Sequence, residues 1–138
     1  MGKFYPLVLA FCCGVFPLRA QSIHFDRLDI NDGLSQNTVT SIIQDDKGFM
    51  WFGTKDGLCR YDGKSFKTFM HDPRLTAGLG NSLIKRLVQD HGHRIWVGTD
   101  SGLYIYDPET EHFSGVPLYA ADGKPVTKPI SILDCDRE

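Results

Sequence analysis

Val39-Thr40-Ser41-Ile42-Ile43-Gln44-Asp45-Asp46-Lys47-Gly48-Phe49-Met50-Trp51-Phe52-Gly53-Thr54-Lys55-Asp56-Gly57-Leu58 has a second copy further along the chain. That copy is Ile84-Lys85-Arg86-Leu87-Val88-Gln89-Asp90-His91-Gly92-His93-Arg94-Ile95-Trp96-Val97-Gly98-Thr99-Asp100-Ser101-Gly102-Leu103, and the two superpose without a gap. Trp96 follows Trp51 by 45 residues, and Gln44/Gln89, Asp45/Asp90, Gly53/Gly98, Thr54/Thr99, Gly57/Gly102, Tyr61/Tyr106 and Asp62/Asp107 keep that offset. A period of about 45 residues is what four short strands and their turns occupy in one β-propeller blade.

Pattern places the strands. Val39 to Gln44 and Ile84 to Gln89 are apolar, β-branched and bounded by turn residues, which suits the innermost strand of a blade. Phe49 to Thr54 and Arg94 to Thr99 follow an Asp-rich turn, and Leu58 to Tyr61 and Leu103 to Tyr106 come next. The dipeptides Asp56-Gly57 and Ser101-Gly102 supply the positive φ that a two-residue hairpin needs. Phe66 to Phe69 and Phe113 to Val116 make the outer strands. The expected fold is all-β: four-stranded antiparallel propeller blades, two complete and a third begun, in an incomplete ring.

The flanks extend this division. Residues 1–20 read as a signal peptide: Lys3 is the positive start, Phe4 to Leu18 the apolar stretch, and Ala20 the residue before cleavage, although Leu18 stands where a small residue is usual. The stretch is short against the about 20 apolar residues of a membrane span. Residues 21–33 hold Phe25 to Leu28, an outer strand expected to complete the last blade of the ring, because they precede Gly33-Leu34 much as Phe66 to Phe69 precede Gly78-Leu79. Blade 1 is expected over 34–70 and blade 2 over 71–118; residues 119–138 are a connection and a truncated first strand of blade 3. Two blades alone leave both outer faces bare, so the chain is expected to be the N-terminal part of a longer protein.

Composition excludes several classes of function. With 41% hydrophobic and 12% aromatic residues the chain has the material for a packed core. Removal of residues 1–20 leaves 13 basic residues against 17 acidic, a net charge of −4, and no basic stripe to track a nucleic-acid backbone. Cys59 and Cys135 remain in an oxidising compartment, but they lie in different repeats and are expected as two free thiols. No CxxC, dinucleotide fingerprint, P-loop or nucleophile elbow occurs.

Asn37-Thr38-Val39 with Ile43-Gln44-Asp45, Lys47-Gly48, Trp51-Phe52-Gly53-Thr54 and Gly57-Leu58 resembles the two-component regulator propeller repeat. The second copy, Asn81-Ser82 with Gln89-Asp90, Ile95-Trp96-Val97-Gly98-Thr99 and Gly102-Leu103-Tyr104-Ile105-Tyr106-Asp107-Pro108, resembles it more closely still. Gly92 departs from the pattern by standing one place early relative to Gly48. The resemblance implies the periplasmic sensing half of a hybrid two-component histidine kinase, anchored in the inner membrane, dimeric, and responding to a small molecule or oligosaccharide through a phosphorelay. The kinase itself lies outside this chain. A free-standing secreted propeller that binds glycan or protein is the alternative, and an enzyme built on a propeller is a third reading without support in these residues.

The repeated residues read as scaffold, because a blade needs sameness where an active site needs asymmetry. Trp51 and Trp96 are expected between blades; Asp45 and Asp90 form turns; Gly53 and Gly98 permit close strand packing or a bulge; Thr54 and Thr99 cap strand ends. His91 and His93 lack a third metal ligand, and in Asp29-Ile30-Asn31-Asp32-Gly33 the glycine arrives too soon for a calcium loop. No catalytic, metal or cofactor-binding residue is expected, and no ligand-binding residue is assigned.

Overall fold

The computed structural model describes residues 24–126 and 128–130. Among them, eight strands form two four-stranded antiparallel sheets, each laid out in chain order. The first holds β1 (Val39–Gln44), β2 (Met50–Thr54), β3 (Gly57–Tyr61) and β4 (Phe66–Phe69). The second holds β5 (Ile84–Gln89), β6 (Ile95–Thr99), β7 (Leu103–Asp107) and β8 (His112–Val116). Every strand end lies within one residue of the sequence-based expectation.

The sheets stack face to face, and the apolar alternation of the strands decides which residues meet. Trp51 and Phe69 of the first blade meet Tyr106 and Phe113 of the second. Ring centroids are 5.0 Å apart for Trp51–Tyr106, 5.3 Å for Phe69–Tyr106 and 5.4 Å for Phe69–Phe113, with edge-to-face planes. Leu58, Leu79, Ile84, Leu87, Ile95 and Val97 complete this core. Burying each such side chain contributes about 1.5–3 kcal/mol, so the interface is the main source of cohesion between the blades.

Near the inner strands the blades approach too closely for a side chain at Gly53. A Cβ there would lie 2.7 Å from Ile84 Cγ2. A bulge between Val39 and Ser41 leaves Thr40 unpaired, and its hydroxyl lies 2.9 Å from the Gly53 carbonyl and 2.8 Å from that of Ile84. The expected choice between close packing and a bulge is thus resolved as both: glycine on β2, bulge on β1. The Leu87 N–H also donates to Ser41 Oγ at 3.1 Å.

The same device recurs at the far side of the second blade. A Cβ on Gly98 would lie 2.9 Å from Ile130 Cγ2, and Ile130 N–H donates to the Thr99 carbonyl at 2.9 Å. Ile130 therefore sits on the second blade as Ile84 sits on the first. The expected inner strand from Ile130 to Asp136 lies otherwise outside the described residues, as do the signal peptide and Cys135.

Residues 24–29 form no strand, and Phe25 is 86% exposed. A strand exists through its ladder, and no partner for Phe25 to Leu28 occurs among the described residues. Residues 29–33 fold into a short 3₁₀ turn, Ile30–Asp32: Asp29 Oδ1 accepts from Asn31 N–H at 2.8 Å, and the Asp32 carboxylate accepts from Asp29 N–H at 2.8 Å. Both acids serve the backbone there. Leu34, next along, is buried, and Ser35 reaches Cys59 and Thr54 on the first blade.

Candidate functional site

The two ends of the blades differ in what their loops are built to do. One end carries the β1–β2 and β5–β6 turns, whose residues repeat. Asp45 Oδ1 accepts from Lys47 N–H at 3.0 Å and Phe49 N–H at 2.9 Å, and Oδ2 accepts from the Trp51 indole at 2.7 Å. Asp90 takes the Trp96 indole at 2.7 Å and the Arg94 N–H at 3.0 Å. The expectation of turn formers holds, but it missed the indole bond, which ties the turn to the interface tryptophan. Burial alone would raise the Asp90 pKa; the Trp96 indole and the Arg94 guanidinium outweigh it and bring it down to about 2.

Gly48 takes φ +89 in the first turn, and the corresponding place in the second falls on His93, at φ +63. Gly92 arrives one residue too early to serve. His93 Nδ1 lies 2.5 Å from Asp46 Oδ2 on the first blade, and Gln89 Nε2 donates to Asp46 Oδ1 at 2.6 Å. The Gln89 amide is the main cause that holds the Asp46 carboxyl below its usual range. The structure thus spends His93 on an inter-blade contact.

The opposite end carries the hairpins and the long connection between β4 and β5. Thr54 Oγ1 donates to the Gly57 carbonyl at 2.9 Å, and Thr99 Oγ1 does the same to Gly102 at 2.9 Å, so the threonines close the hairpins as expected. The positive φ falls on Gly57 (+114) and Gly102 (+151), each placed directly after its two turn residues rather than within the turn.

At the outer rim, sequence reasoning missed a network that no repeat could reveal. Arg60 of β3 lies with its guanidinium 4.8 Å from the Phe49 ring centroid and donates to Tyr106 Oη at 3.2 Å. It also reaches Glu111 of the β7–β8 turn at 3.2 Å, and Lys67 of β4 bonds the other oxygen of that carboxylate. Lys67 and Arg60 hold Glu111 below the usual carboxylate range, Lys67 contributing most. The counterpart of Arg60 in the second repeat is Ile105, which is why the pattern gave no signal.

Beside this network, a cleft of about 430 Å³ opens between β4, β8 and the connection after β4. Phe69, Leu79 and Phe113 lie beneath it, and Met70 and Leu75, 47% and 62% exposed, flank it. Cys59 is a free, fully buried thiol bonded to Ser35 Oγ at 3.1 Å.

Two stacked four-stranded meanders, joined through the close approach at Gly53 and the aromatic interface around Trp51, define successive blades of a β-propeller. Residues 33–56, which span most of the first copy of the repeat, match the two component regulator propeller family. The chain is 39% identical over 75 residues to histidine kinase P4 of Formosa agariphila, a stretch covering 53% of this chain and 5% of the relative. Among solved structures it resembles the extracellular domain of a protein assigned as a hybrid two component system of B. thetaiotaomicron. That likeness has 33% identity and a TM-score of 0.67, and covers 75% of this chain and 15% of the other. A second extracellular domain from that organism, assigned to a one component system, gives 27% identity and a TM-score of 0.56 over 64% of this chain and 13% of the other. The chain therefore spans a small part of each relative's length.

Proposed function

We propose that this chain is the first part of the extracytoplasmic sensing propeller of a two-component phosphorelay receptor, and that the receptor responds to an oligosaccharide. The observation that carries this reading is the likeness of three quarters of the chain to the extracellular domain of a hybrid two component system, at 33% identity. In this reading residues 1–20 direct export to the periplasm, the whole receptor is a dimer anchored in the inner membrane, and the kinase acts on the other side.

Further blades of the same ring are the partners this reading requires. Gly98 accommodates Ile130 as Gly53 accommodates Ile84, and half-buried Trp96 offers the next blade the surface that Trp51 offers Tyr106. On the other side of the pair, Ile42 of β1 is 54% exposed and would face the last blade of the ring. Chemistry is assigned to none of these residues; the propeller binds and reports. The test is a calorimetric screen of oligosaccharides against the complete ectodomain. Binding of a glycan, with the same glycan raising phosphorylation in the membrane-bound receptor, is the expected result; a complete ectodomain that binds no glycan removes the oligosaccharide from the proposal.

A further inference from the structure

We infer that the rim cleft between β4, β8 and residues 70–79 is a binding site for a neutral saccharide, an inference that rests on the oligosaccharide reading above and gives it a place in this chain. The cleft's volume of about 430 Å³ falls in the range of small-ligand sites, about 300–1,000 Å³, and suits a ligand of one or two sugar rings. Its base is apolar, from Phe69 and Phe113, whereas the polar residues Thr76, Arg74 and Glu111 line it as well. An apolar base beside polar residues matches a pyranose, which presents a C–H face and an edge of hydroxyls.

The charges decide for a neutral ligand. Arg74 is held by Asp72 through bonds of 2.9 and 2.7 Å, and Glu111 by Arg60 and Lys67. An anionic or cationic ligand would have to displace one of these partners to gain an ion pair. A hydroxyl needs only the lone pairs and N–H groups that the pairs leave over. The cleft also crosses the contact between the two blades, since Phe69 and Phe113 are in ring contact at 5.4 Å. A bound sugar would therefore touch both blades, and its occupancy would bear on how they are held together.

The test is an NMR titration of the isotope-labelled complete ectodomain with cellobiose, laminaribiose, maltose and xylobiose, and with a sulfated disaccharide as the charged comparison. Ala77 lines the cleft, and Ala77→Phe fills it while keeping the backbone carbonyl that accepts from Phe113 N–H at 3.0 Å. The expected result is that at least one neutral disaccharide shifts the amides of residues 68–79 and 111–113, and that Ala77→Phe weakens it at least tenfold. Equal binding to the variant overturns the assignment, as does a cleft that takes only the sulfated sugar. Shifts confined to the β2–β3 and β6–β7 hairpins, residues 54–57 and 99–102, overturn the cleft and leave the sensing proposal intact. Silence with every sugar also overturns the cleft, and the calorimetric screen of the complete ectodomain then decides the sensing proposal separately.

Discussion

Trp51 and Trp96 stand 45 residues apart, and each donates its indole N–H to the second carboxylate oxygen of the aspartate six residues before it, at 2.7 Å in both cases; yet Trp51 is 1% exposed and Trp96 only half-buried. Local structure is the same at the two sites, so the difference comes from packing alone. Tyr106 and Phe69 cover Trp51, whereas the Arg94 guanidinium lies 5.7 Å from the Trp96 ring centroid. Acrylamide quenching checks this directly. Fluorescence of the Trp96→Phe variant, which reports Trp51, is expected to resist quenching, and that of Trp51→Phe to be quenched several-fold more readily. Equal quenching would contradict the burial difference.

Gly53 lies where the two blades approach closely, with no room for a methyl group. Gly53→Ala drives a Cβ to 2.7 Å from Ile84 Cγ2, where either β2 or the inner strand of the second blade must move. A loss of about 1–3 kcal/mol is expected, read by urea unfolding followed through Trp51. In a double-mutant cycle, Ile84→Ala should recover part of it, since the nearest clashing atom is then gone.

Much of this was legible before any coordinates, and the reason is repetition. Strand positions and the scaffold roles of Trp51, Gly53 and Thr54 follow from spacing, because a residue demanded by the blade is demanded twice. The Asp45–Trp51 bond escaped because both residues already had sufficient explanations, as turn and as core. Arg60, Glu111 and the rim cleft escaped for the opposite cause: they occur once, and a contact between residues about 50 positions apart leaves no periodic trace. Phe25 to Leu28 illustrates a third limit: a strand exists through its ladder, and no strand pairs with these residues among the described ones.

Asp90 makes part of the stability sensitive to acid. Its folded pKa of about 2 lies below the value of about 3.9 for an unfolded aspartate, so the folded state prefers the carboxylate. The contribution is complete above about pH 4 and is lost as pH falls towards 2. Asp90→Asn should flatten this portion of a stability-against-pH curve and lower stability at pH 7, because the amide gives Trp96 and Arg94 a weaker acceptor. An unchanged acid limb in the variant would assign the dependence to other carboxylates.

His93 occupies the left-handed turn position that Gly48 holds in the first repeat, and a side chain there is strained. His93→Gly relieves that strain at the expense of the exposed contact with Asp46, which is worth little in water. The expected net effect is a gain of about 0.5–1 kcal/mol in urea unfolding. A loss would show that the link to Asp46 outweighs the backbone term.

The two blades solve one packing problem with different pairs of residues. In the first, Ser35 lies over Cys59, its N–H 3.3 Å from Sγ; in the second, Gly80 lies over Tyr104, whose hydroxyl would be 1.8 Å from any Cβ at position 80. Positions 35 and 59 correspond to 80 and 104 at the 45-residue offset, so each pair is matched within itself: a small residue faces the large side chain and a larger one faces the thiol. Gly80→Ser alone should cost about 1–3 kcal/mol, since the tyrosine ring must leave its place. Gly80→Ser combined with Tyr104→Cys transplants the first blade's pair into the second. The double variant should be more stable than Gly80→Ser alone, although it forfeits the apolar contacts of the tyrosine ring. Additive losses in urea unfolding would mean that the pairs are not interchangeable and that the blades differ in backbone as well as in side chains.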